Sequence, residues 1–358
     1  MDLVVIWIIL IAILWTGYFV LEGFDFGVGM LLPILGRSRY ADPEDAEKRR
    51  RVMVTTIGPD WDGNEVWVLT AGGATFAAFP HWYATLFAGF YLPLLLILVG
   101  LIIRGIGLDY RGKVNTQTAR DRLDLMVVIG SFLPAFLWGV AFANIVGGVP
   151  LAPDVTAAAP YNAAPYVEYT GNLFTLLNPL GLIGGLTTLF LFLTHGAHFI
   201  ALKTDGPIRE DARAWATRSG LVTAVCAVAF LGWTMVNRHA GVAAWICMVL
   251  AAVALLAGLY ANRLGREGWA FVATAATTAF AVWALFLALY PDVMPSTTDP
   301  AFSLTAANAS STHLTLVIMT WAAVIFTPVV MAYQSWTYWV FRKRITTAHI
   351  PDHVVIEA

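Results

Sequence analysis

The chain has 358 residues, of which 59% are hydrophobic and only 12% are charged, whereas soluble domains have about 25% charged residues. This composition excludes an ordinary soluble domain, and the net charge of −2 gives no indication of nucleic-acid binding. Apolar runs of about eighteen or more residues recur along the whole sequence, and each is long enough to span a membrane as a helix. We therefore expect an all-α polytopic membrane protein with no separate soluble domain.

The first apolar segment begins almost at residue 1. No basic residue precedes it and no small-residue cleavage site follows it, so we expect it to be retained as a helix. The two cysteines, Cys226 and Cys247, both lie inside apolar runs, where cysteine acts as a small packing residue. They therefore predict neither a disulfide nor a metal site.

Nine apolar segments predict nine transmembrane helices. The first is longer than a bilayer requires, so we expect it to tilt or to extend past the inner surface. The segments cover residues 3–35, 51–79, 82–105, 121–147, 180–202, 214–237, 241–262, 267–290 and 313–341.

The predicted domain organisation follows from these segments. Residues 1–345 are expected to form a single transmembrane domain. Within it, we expect one four-helix bundle in 1–147, a second in 180–290, and one peripheral helix at 313–341. Residues 346–358 are expected to form a cytoplasmic tail.

The basic residues predict the orientation of the chain in the membrane. Twenty of the 21 lysine and arginine residues lie on alternate loops, and only Arg238 lies on the other side. Because loops rich in Lys and Arg stay in the cytoplasm, the N-terminus is predicted to lie outside and the C-terminus in the cytoplasm. A missed helix would destroy this regularity, which supports nine spans.

The second segment contains three carboxylates, Asp60, Asp62 and Glu65, in the stretch IGPDWDGNEVW. At about 1.5 Å per residue, Asp62 and Glu65 lie roughly 16–21 Å above Arg51, near the membrane centre. They are three residues apart and share one helix face. A charge at this depth costs at least about 2.5 kcal/mol, and we expect no Lys or Arg at that level. At least one of the two acids is therefore expected to hold a proton, which suits proton passage.

The residues around these acids predict a packed site. Pro59 is expected to kink the helix just below them, and Gly63 to allow the close approach of a neighbouring helix. Trp61 and Trp67 flank the acids with large rings whose N–H groups require partners. The alternative interpretation is a structural polar contact between helices, without any role in proton movement.

Four more ionisable residues lie in the inner half of the membrane. Glu22 and Asp25 share a face of the first segment, and His195 and His198 lie at the same level on the fifth. A histidine pair at this spacing could bind a metal or a haem iron, but further ligands at this depth are not evident. Hydrogen bonding at a helix end and the edge of a proton path are the alternatives.

A group at the inner end of the third segment completes the pattern. It contains Arg104, Asp109 and Lys113, for which interfacial anchoring is the alternative interpretation. In order of depth, polar residues run from the cytoplasm to mid-membrane, and none continue to the outside. This favours a half-channel that delivers protons to a buried reaction. The path comprises Asp109, Lys113, Glu22, Asp25, His198, Asp62 and Glu65.

Three motifs resemble a known family. They are WDGNEVW with the following TAGGATFAAFP, GFDFGVGMLLP in the first segment, and RGIGLDYRGK after the third. Together they resemble subunit II of the cytochrome bd quinol oxidases. The motifs occur in order within roughly the first 115 residues, and the predicted nine-helix topology agrees with the family over the full length.

The resemblance implies a subunit of a respiratory terminal oxidase in the bacterial inner membrane, which oxidises a quinol and reduces dioxygen to water. It implies a partner, subunit I, that carries the quinol site, two b-type haems and one d-type haem. This chain is then expected to ligate no haem, although some members hold a structural quinone in subunit II. Membrane lipid and small single-helix accessory subunits are further expected partners, and nucleic acid is not.

The resemblance also implies roles for particular residues. It assigns a proton path to Asp62, and to Asp109 and Lys113 of the DYRGK stretch. Asp60 is a departure, because the family motif is not usually acidic at that position, and its role is left open. The residues that depth alone adds to the path are Glu22, Asp25 and Glu65, with His198 a weaker addition.

Two other classes of function stay open. A proton-coupled secondary transporter would use Asp62 and Glu65 as a midplane coupling site, but it would also need an exit to the outside. A purely structural partner would stabilise subunit I, with its acids serving only as hydrogen-bonding groups between helices.

Overall fold

A computed structural model describes residues 2–37, 42–154 and 166–350, and these parts of the chain are mostly helical. The first six helices are α1 (Leu3–Leu35), α2 (Pro43–Ile57), α3 (Trp61–Ala78), α4 (Pro80–Gly89), α5 (Tyr91–Tyr110) and α6 (Gln117–Gly147). The remaining seven are α7 (Leu173–Leu176), α8 (Pro179–Lys203), α9 (Pro207–Asn237), α10 (Val242–Arg263), α11 (Glu267–Leu289), α12 (Ala306–Ala309) and α13 (His313–Val340).

Four short strands lie between the helices. They form two antiparallel pairs, β1 with β2 and β3 with β4. Of the predicted tail, Thr347–His349 form a short 3-10 turn, and residues 351–358 lie outside the described residues. The strands are β1 (Leu151–Pro153), β2 (Val167–Tyr169), β3 (Asp292–Met294) and β4 (Leu304–Thr305).

Eight helices of the described chain are long and apolar enough to cross a membrane. α3 is 18 residues long but is not among them, because Asp62, Asn64 and Glu65 near its start lower its hydropathy. A ninth crossing therefore stays a prediction. The eight helices are α1, α5 with the turn that follows it, α6, α8, α9, α10, α11 and α13.

The second predicted segment is interrupted rather than merely kinked. α2 ends at Ile57, a turn contains Pro59, and α3 begins at Trp61. Proline has no N–H group and its ring clashes with the preceding helical turn, so the prediction of a distortion at this position is confirmed. The third predicted segment, 82–105, is also divided, between α4 and α5.

Helix α1 lies at the centre of the molecule and packs against α3, α6, α8, α11 and α13. Every residue from Glu22 to Leu32 is buried. The crossing with α8 is close at Gly27, where an added Cβ atom would lie 2.0 Å from the carbonyl oxygen of Phe192. The inner half of α1 is thus enclosed by protein, which is why its carboxylates are removed from lipid.

The other helices pack mainly with sequence neighbours. α5 lies on α6, α8 on α9, and α10 on α11, while α6 also contacts α8. α13 touches α3 and α1, and Leu316 is the only residue of this helix that is buried within the described chain. Almost the whole apolar surface of α13 is therefore exposed.

Ion pairs connect the helix ends that carry most of the basic residues. Glu47 of α2 accepts hydrogen bonds from Arg111, at 3.0 and 2.9 Å, and from Arg51 at 3.0 Å. Burial alone would raise the pKa of Glu47, but the bonds and charge of Arg111, and then the bond from Arg51, hold that pKa below its ordinary value. Arg238, the basic residue set apart in sequence, pairs with Asp292 at 2.7 Å.

Candidate functional site

A fully buried positive charge, that of Arg104 on α5, lies in the site. Its Nη1 atom donates a hydrogen bond to the Glu22 carboxylate and lies 3.4 Å from Oε2 of Glu65. The Arg104 and Glu22 side chains are 0% exposed, and that of Glu65 is 26% exposed. The guanidinium also lies over two aromatic rings, 5.0 Å from the centroid of Phe26 and 5.8 Å from that of Trp61.

The sequence-based expectation that no cation lies at the level of these acids is wrong. The third predicted segment ended at residue 105, which placed Arg104 at the membrane surface. In the structure α5 continues to Tyr110, so Arg104 lies six residues, or about 9 Å, inside the helix end. Its charge compensates part of the negative charge of Glu22 and Glu65.

A second group of hydrogen bonds lies beside the first and connects three helices. Nδ2 of Asn64 on α3 donates to Oδ2 of Asp25 on α1 at 2.7 Å. Oδ1 of Asn64 accepts from Nε2 of Gln334 at 3.1 Å and from the Tyr338 hydroxyl at 2.7 Å, both on α13. The Trp67 indole N–H donates to Oε1 of Gln334 at 2.9 Å. Asp25 is therefore tied to α13 through Asn64.

Sequence reasoning missed Asn64, Gln334 and Tyr338 and misplaced Arg104. A signal for the two residues of α13 was present, because Gln334 and Tyr338 are four residues apart on an otherwise apolar helix and thus share one face. Asn64 stands in the same motif as the acids. A search restricted to charged residues overlooked these neutral hydrogen-bonding groups.

The buried acids retain unused acceptors. Within the described part of the chain, Oε2 of Glu22 and Oδ1 of Asp25 have no hydrogen-bond partner, although both are buried. The buried centre thus contains three carboxylates, those of Glu22, Asp25 and Glu65, close to one cation. We call these three acids and Arg104 the acid cluster.

Asp62 has different surroundings. It is exposed in the chain, and its Oδ1 atom accepts a hydrogen bond from the Gly63 N–H at 2.7 Å. It lines a groove between α1, α3 and α13 with a volume of about 900 Å³. Asp62 and Glu65 are thus one turn apart but unlike, because Glu65 approaches Arg104 whereas Asp62 opens to the groove.

Within the described chain, no neighbouring helix approaches Gly63 closely. A Cβ atom added there would meet nothing within 4 Å, because Gly63 also faces the groove. The close approach occurs instead at Gly17 of α1, where an added Cβ would lie 2.1 Å from the Trp67 ring. Trp67 therefore packs between α1 and α13, while Trp61 lies over Arg104.

Asp109 and Lys113 lie outside the acid cluster. Both are exposed near the end of α5, and the Lys113 ammonium lies 4.7 Å from the centroid of the Tyr110 ring. The structure therefore places these residues at the surface of the chain and does not bring them into contact with Glu22 or Asp25.

The two histidines belong to another interface. Nδ1 of His195 lies 2.8 Å from the hydroxyl of Thr274 on α11, and its Nε2 lies 3.1 Å from the Val20 carbonyl oxygen. Nδ1 of His198 lies 3.4 Å from the same hydroxyl. Both nitrogens of His195 are engaged, whereas Nε2 of His198 is buried without a hydrogen-bond partner in the described part of the chain. Among the described residues, no group of three or more His, Cys, Asp or Glu side chains could hold a metal ion.

The fold and site together define a class: an integral membrane protein of many apolar helices, with ionisable groups enclosed between them. Comparison with known proteins identifies the family. The family model for cytochrome bd terminal oxidase subunit II matches residues 3–341. The chain therefore belongs to the cytochrome bd oxidase subunit II family.

Individual relatives agree with this assignment. The chain is 37% identical to cytochrome bd-I ubiquinol oxidase subunit 2 of Escherichia coli K12, over 96% of each chain. It is 38% identical to cytochrome bd ubiquinol oxidase subunit 2 of Bacillus subtilis, over 95% of this chain and 96% of the relative. The fold resembles a chain of the bd oxidase of Geobacillus thermodenitrificans, with a TM-score of 0.72 and 19% identity over 95% of this chain and 99% of the other.

Membership in this family establishes the setting of the site. The chain is a subunit of a terminal oxidase of the respiratory chain and a multi-pass protein of the bacterial inner membrane. Haem belongs to the complex that such a subunit joins, and the family implies a partner subunit I. The resemblance found in the three sequence motifs is confirmed.

Proposed function

We propose that this chain is the non-haem subunit of a quinol:dioxygen oxidoreductase, and that it conducts cytoplasmic protons toward the oxygen-reducing haem of subunit I. The names of the E. coli and B. subtilis relatives, both subunits of ubiquinol oxidases, support a quinol as electron donor of the complex. In this proposal subunit I holds two b-type haems, one d-type haem and the quinol and oxygen sites.

The observation that carries the proposal is the exposed position of Asp62 on α3. A carboxylate near the bilayer centre costs about 2.5–3.5 kcal/mol when it faces lipid. A subunit that covers the groove would remove this cost and would place its own groups beside Asp62. The exposed aromatic residues of α13, such as Trp321, Phe326 and Trp336, provide apolar area for the same contact. We therefore assign the face formed by α3 and α13 to subunit I.

The acid cluster supports a role in holding protons. Arg104 contributes one positive charge. Asp25 could contribute one negative charge, and Glu22 and Glu65, which both contact Arg104, could contribute two more. An uncompensated buried charge is strongly unfavourable. One of the two glutamate carboxyls is therefore proposed to carry a proton at any time. Because both share the same cation, a proton can move between them without changing the net charge. Glu65 lies one turn from Asp62, which would pass protons to the partner.

The remaining expected path residues take the cytoplasmic end of the route. Asp109 and Lys113 are exposed at the end of α5 and are proposed to collect protons there. His198, which bonds to Thr274 rather than to an acid, is a weak member of the path. Water would have to connect these groups to Glu22 and Asp25.

We also propose that α3 is the ninth crossing. The basic residues after α1 and those after α5 can lie on one side only if an even number of crossings separates them. With α3 and α5 as those two crossings, the N-terminus lies outside and the C-terminus in the cytoplasm. The first bundle then contains α1, α3, α5 and α6, the second α8 to α11, and α13 is peripheral.

Other molecules could use the groove and the exposed faces. The volume of the groove, about 900 Å³, falls in the range of pockets that hold drug-sized ligands, roughly 300–1,000 Å³. A structural quinone is therefore the rival of subunit I as occupant of the groove. Small single-helix subunits and lipid would cover the faces that subunit I leaves open.

The test is to purify the tagged chain in mild detergent and to record which polypeptides and haems accompany it. The proposal predicts that a haem-bearing subunit I copurifies and that the chain expressed alone shows no haem absorbance. A chain that is fully functional without this partner would support the alternative function, a proton-coupled secondary transporter. A stoichiometric haem in the isolated chain would contradict the division of labour between the subunits.

A further inference from the structure

Asp60 stands at the N-cap position of α3, but its side chain does not cap the helix. An aspartate at this position normally accepts a hydrogen bond from the N–H group two or three residues later. The Asp60 side chain makes no such bond, and only its backbone oxygen takes part, accepting from the Asn64 N–H at 3.0 Å. By contrast, Asp42 caps α2, because its Oδ1 accepts from the Glu44 N–H at 2.9 Å. Capping therefore does not explain Asp60.

The Asp60 carboxylate is buried without a donor. The residue is 5% exposed, and neither carboxylate oxygen has a hydrogen-bond partner in the described part of the chain. Two other buried acids form ion pairs, Glu47 with Arg111 and Glu267 with Arg209. A buried charge without hydrogen bonds is costly. Asp60 must therefore either bind water when it is ionised or carry a proton and be neutral.

The surroundings of Asp60 connect two regions. Lys203 at the end of α8 and Asp62 on α3 interact electrostatically with Asp60. Asp60 also interacts electrostatically with Asp25 of α1 and with Tyr338 of α13. The Lys203 ammonium donates a hydrogen bond to the carbonyl oxygen of Phe341, which immediately precedes the basic residues 342–344. Lys203 therefore marks the cytoplasmic end, and Asp25 belongs to the acid cluster.

The groove offers space for water between these groups. Asp60, Asp62 and Tyr338 all line it, and a polar end of a roomy cavity can hold water that bridges side chains. Asp60 and Asp62 therefore border the same cavity, and Asp109 and Lys113 are not among the residues that line it.

We infer that Asp60 is a further proton-carrying residue of this chain, which accepts protons from the cytoplasmic end near Lys203 and passes them along the groove to Asp62. The inference rests on the proposed function. Each transfer is a simple proton exchange: the Asp60 carboxylate takes a proton from cytoplasmic water, and the resulting carboxyl gives it to the carboxylate of Asp62. No oxidant or reductant takes part in these steps.

The experiment compares Asp60→Asn, Asp60→Glu and Asp42→Asn in the assembled oxidase, with quinol-driven oxygen consumption measured across a pH series. Without the Asp60 carboxyl, proton uptake is expected to become limiting at alkaline pH, where turnover then falls by up to about tenfold per pH unit. Asp60→Glu keeps a carboxyl and is expected to restore the parent profile. Asp42→Asn keeps a good helix cap and is expected to behave as the parent protein.

The outcomes separate this inference from the proposed function. A parent-like pH profile in Asp60→Asn, beside slow turnover in Asp62→Asn, would overturn the role of Asp60 and leave the proposed function intact. Parent-like turnover in both variants would overturn the proposed function as well. If Asp60→Asn yields no haem-containing complex, Asp60→Thr replaces it. A profile shifted in Asp60→Thr but not in Asp60→Glu supports the inference, and identical profiles contradict it.

Discussion

The acids in the first half of α3 face two different regions. On one side lies the acid cluster, where Arg104 compensates negative charge, and on the other lies the open groove. Glu65 approaches a fully buried arginine, and Asn64 holds the buried Asp25 in place. Asp62, in contrast, has the N–H of Gly63 as its hydrogen-bond donor and is exposed to the groove. One helix therefore separates a place where charge is compensated from a place where it is open to a partner.

The difference has consequences for what mutations will do. Removing one member of a buried ion pair typically costs about 3–5 kcal/mol, because the other charge stays buried without compensation. Asp62 has no ion-pair partner among the described residues, so its replacement leaves no buried charge of this chain uncompensated. Variants of the acid cluster should thus affect stability and turnover together, whereas variants of Asp62 should affect turnover alone.

The largest effect is expected for Arg104→Gln, which leaves Glu22 buried without its cation. We expect a loss of about 3–5 kcal/mol of stability, seen as a low yield of the haem-containing complex or a strongly lowered thermal midpoint. Arg104→Lys keeps a charge but loses the planar fork of the guanidinium. The stability of its complex should therefore lie between those of the parent and of Arg104→Gln. If the complex with Arg104→Gln is as stable as the parent, compensation by Arg104 does not distinguish the acid cluster from the groove at Asp62.

A smaller effect is expected for Gln334→Leu. The change removes the hydrogen bonds of Gln334 with Asn64 and with the Trp67 indole, which costs about 1–3 kcal/mol when the partners remain buried. The matched control is Thr337→Val on the same helix, because among the described residues the Thr337 hydroxyl bonds only to the Tyr333 carbonyl oxygen of its own helix. Thermal unfolding of the two complexes provides the comparison. Equal midpoints would mean that Gln334 does not stabilise the position of Asn64, which also accepts a hydrogen bond from Tyr338 of α13.

An effect that depends on pH is expected at Glu47, outside both regions, where Arg111 keeps Asp124 as a partner after the change. Because the pKa of Glu47 is lower in the folded protein than its ordinary value of 4.5, its stabilisation is complete above that value and is lost as the pH falls through the lower folded-state pKa. Glu47→Gln should therefore lower the thermal midpoint at pH 7, and the difference from the parent should shrink at strongly acidic pH. A difference that is independent of pH would contradict this account.

The sequence predicted much of the architecture, because apolar segments and alternating basic loops directly reflect how a chain crosses the bilayer. α1 matches its predicted bounds of 3–35, and α13 ends one residue before its predicted end at 341. A kink at Pro59 was also predicted, since proline acts through local covalent structure, but the helix is fully interrupted there. The depth of Arg104 was not, because an error of a few residues in a helix end shifts a side chain by a full turn.

The site was only partly predictable for a related reason. The positions of Glu22, Asp25 and Glu65 were singled out because charged residues in apolar runs are rare. Their partners depend on how α1, α3, α5 and α13 cross, and the local pattern of residues does not contain that information. The unlike surroundings of Asp62 and Glu65, one turn apart, are a consequence of tertiary packing alone.

The measurement that tests the central claim most directly is quinol-driven oxygen consumption by the oxidase with Asp62→Asn, compared with Asp62→Leu and with the parent complex. A positioned proton-transfer group is typically worth roughly 10²–10⁴-fold in rate, and bypass through water reduces the loss, so we expect both variants to be slower by about tenfold or more. Their haem spectra should match that of the parent. Normal turnover in both variants would contradict a proton path through Asp62 and would leave this chain a structural partner of subunit I.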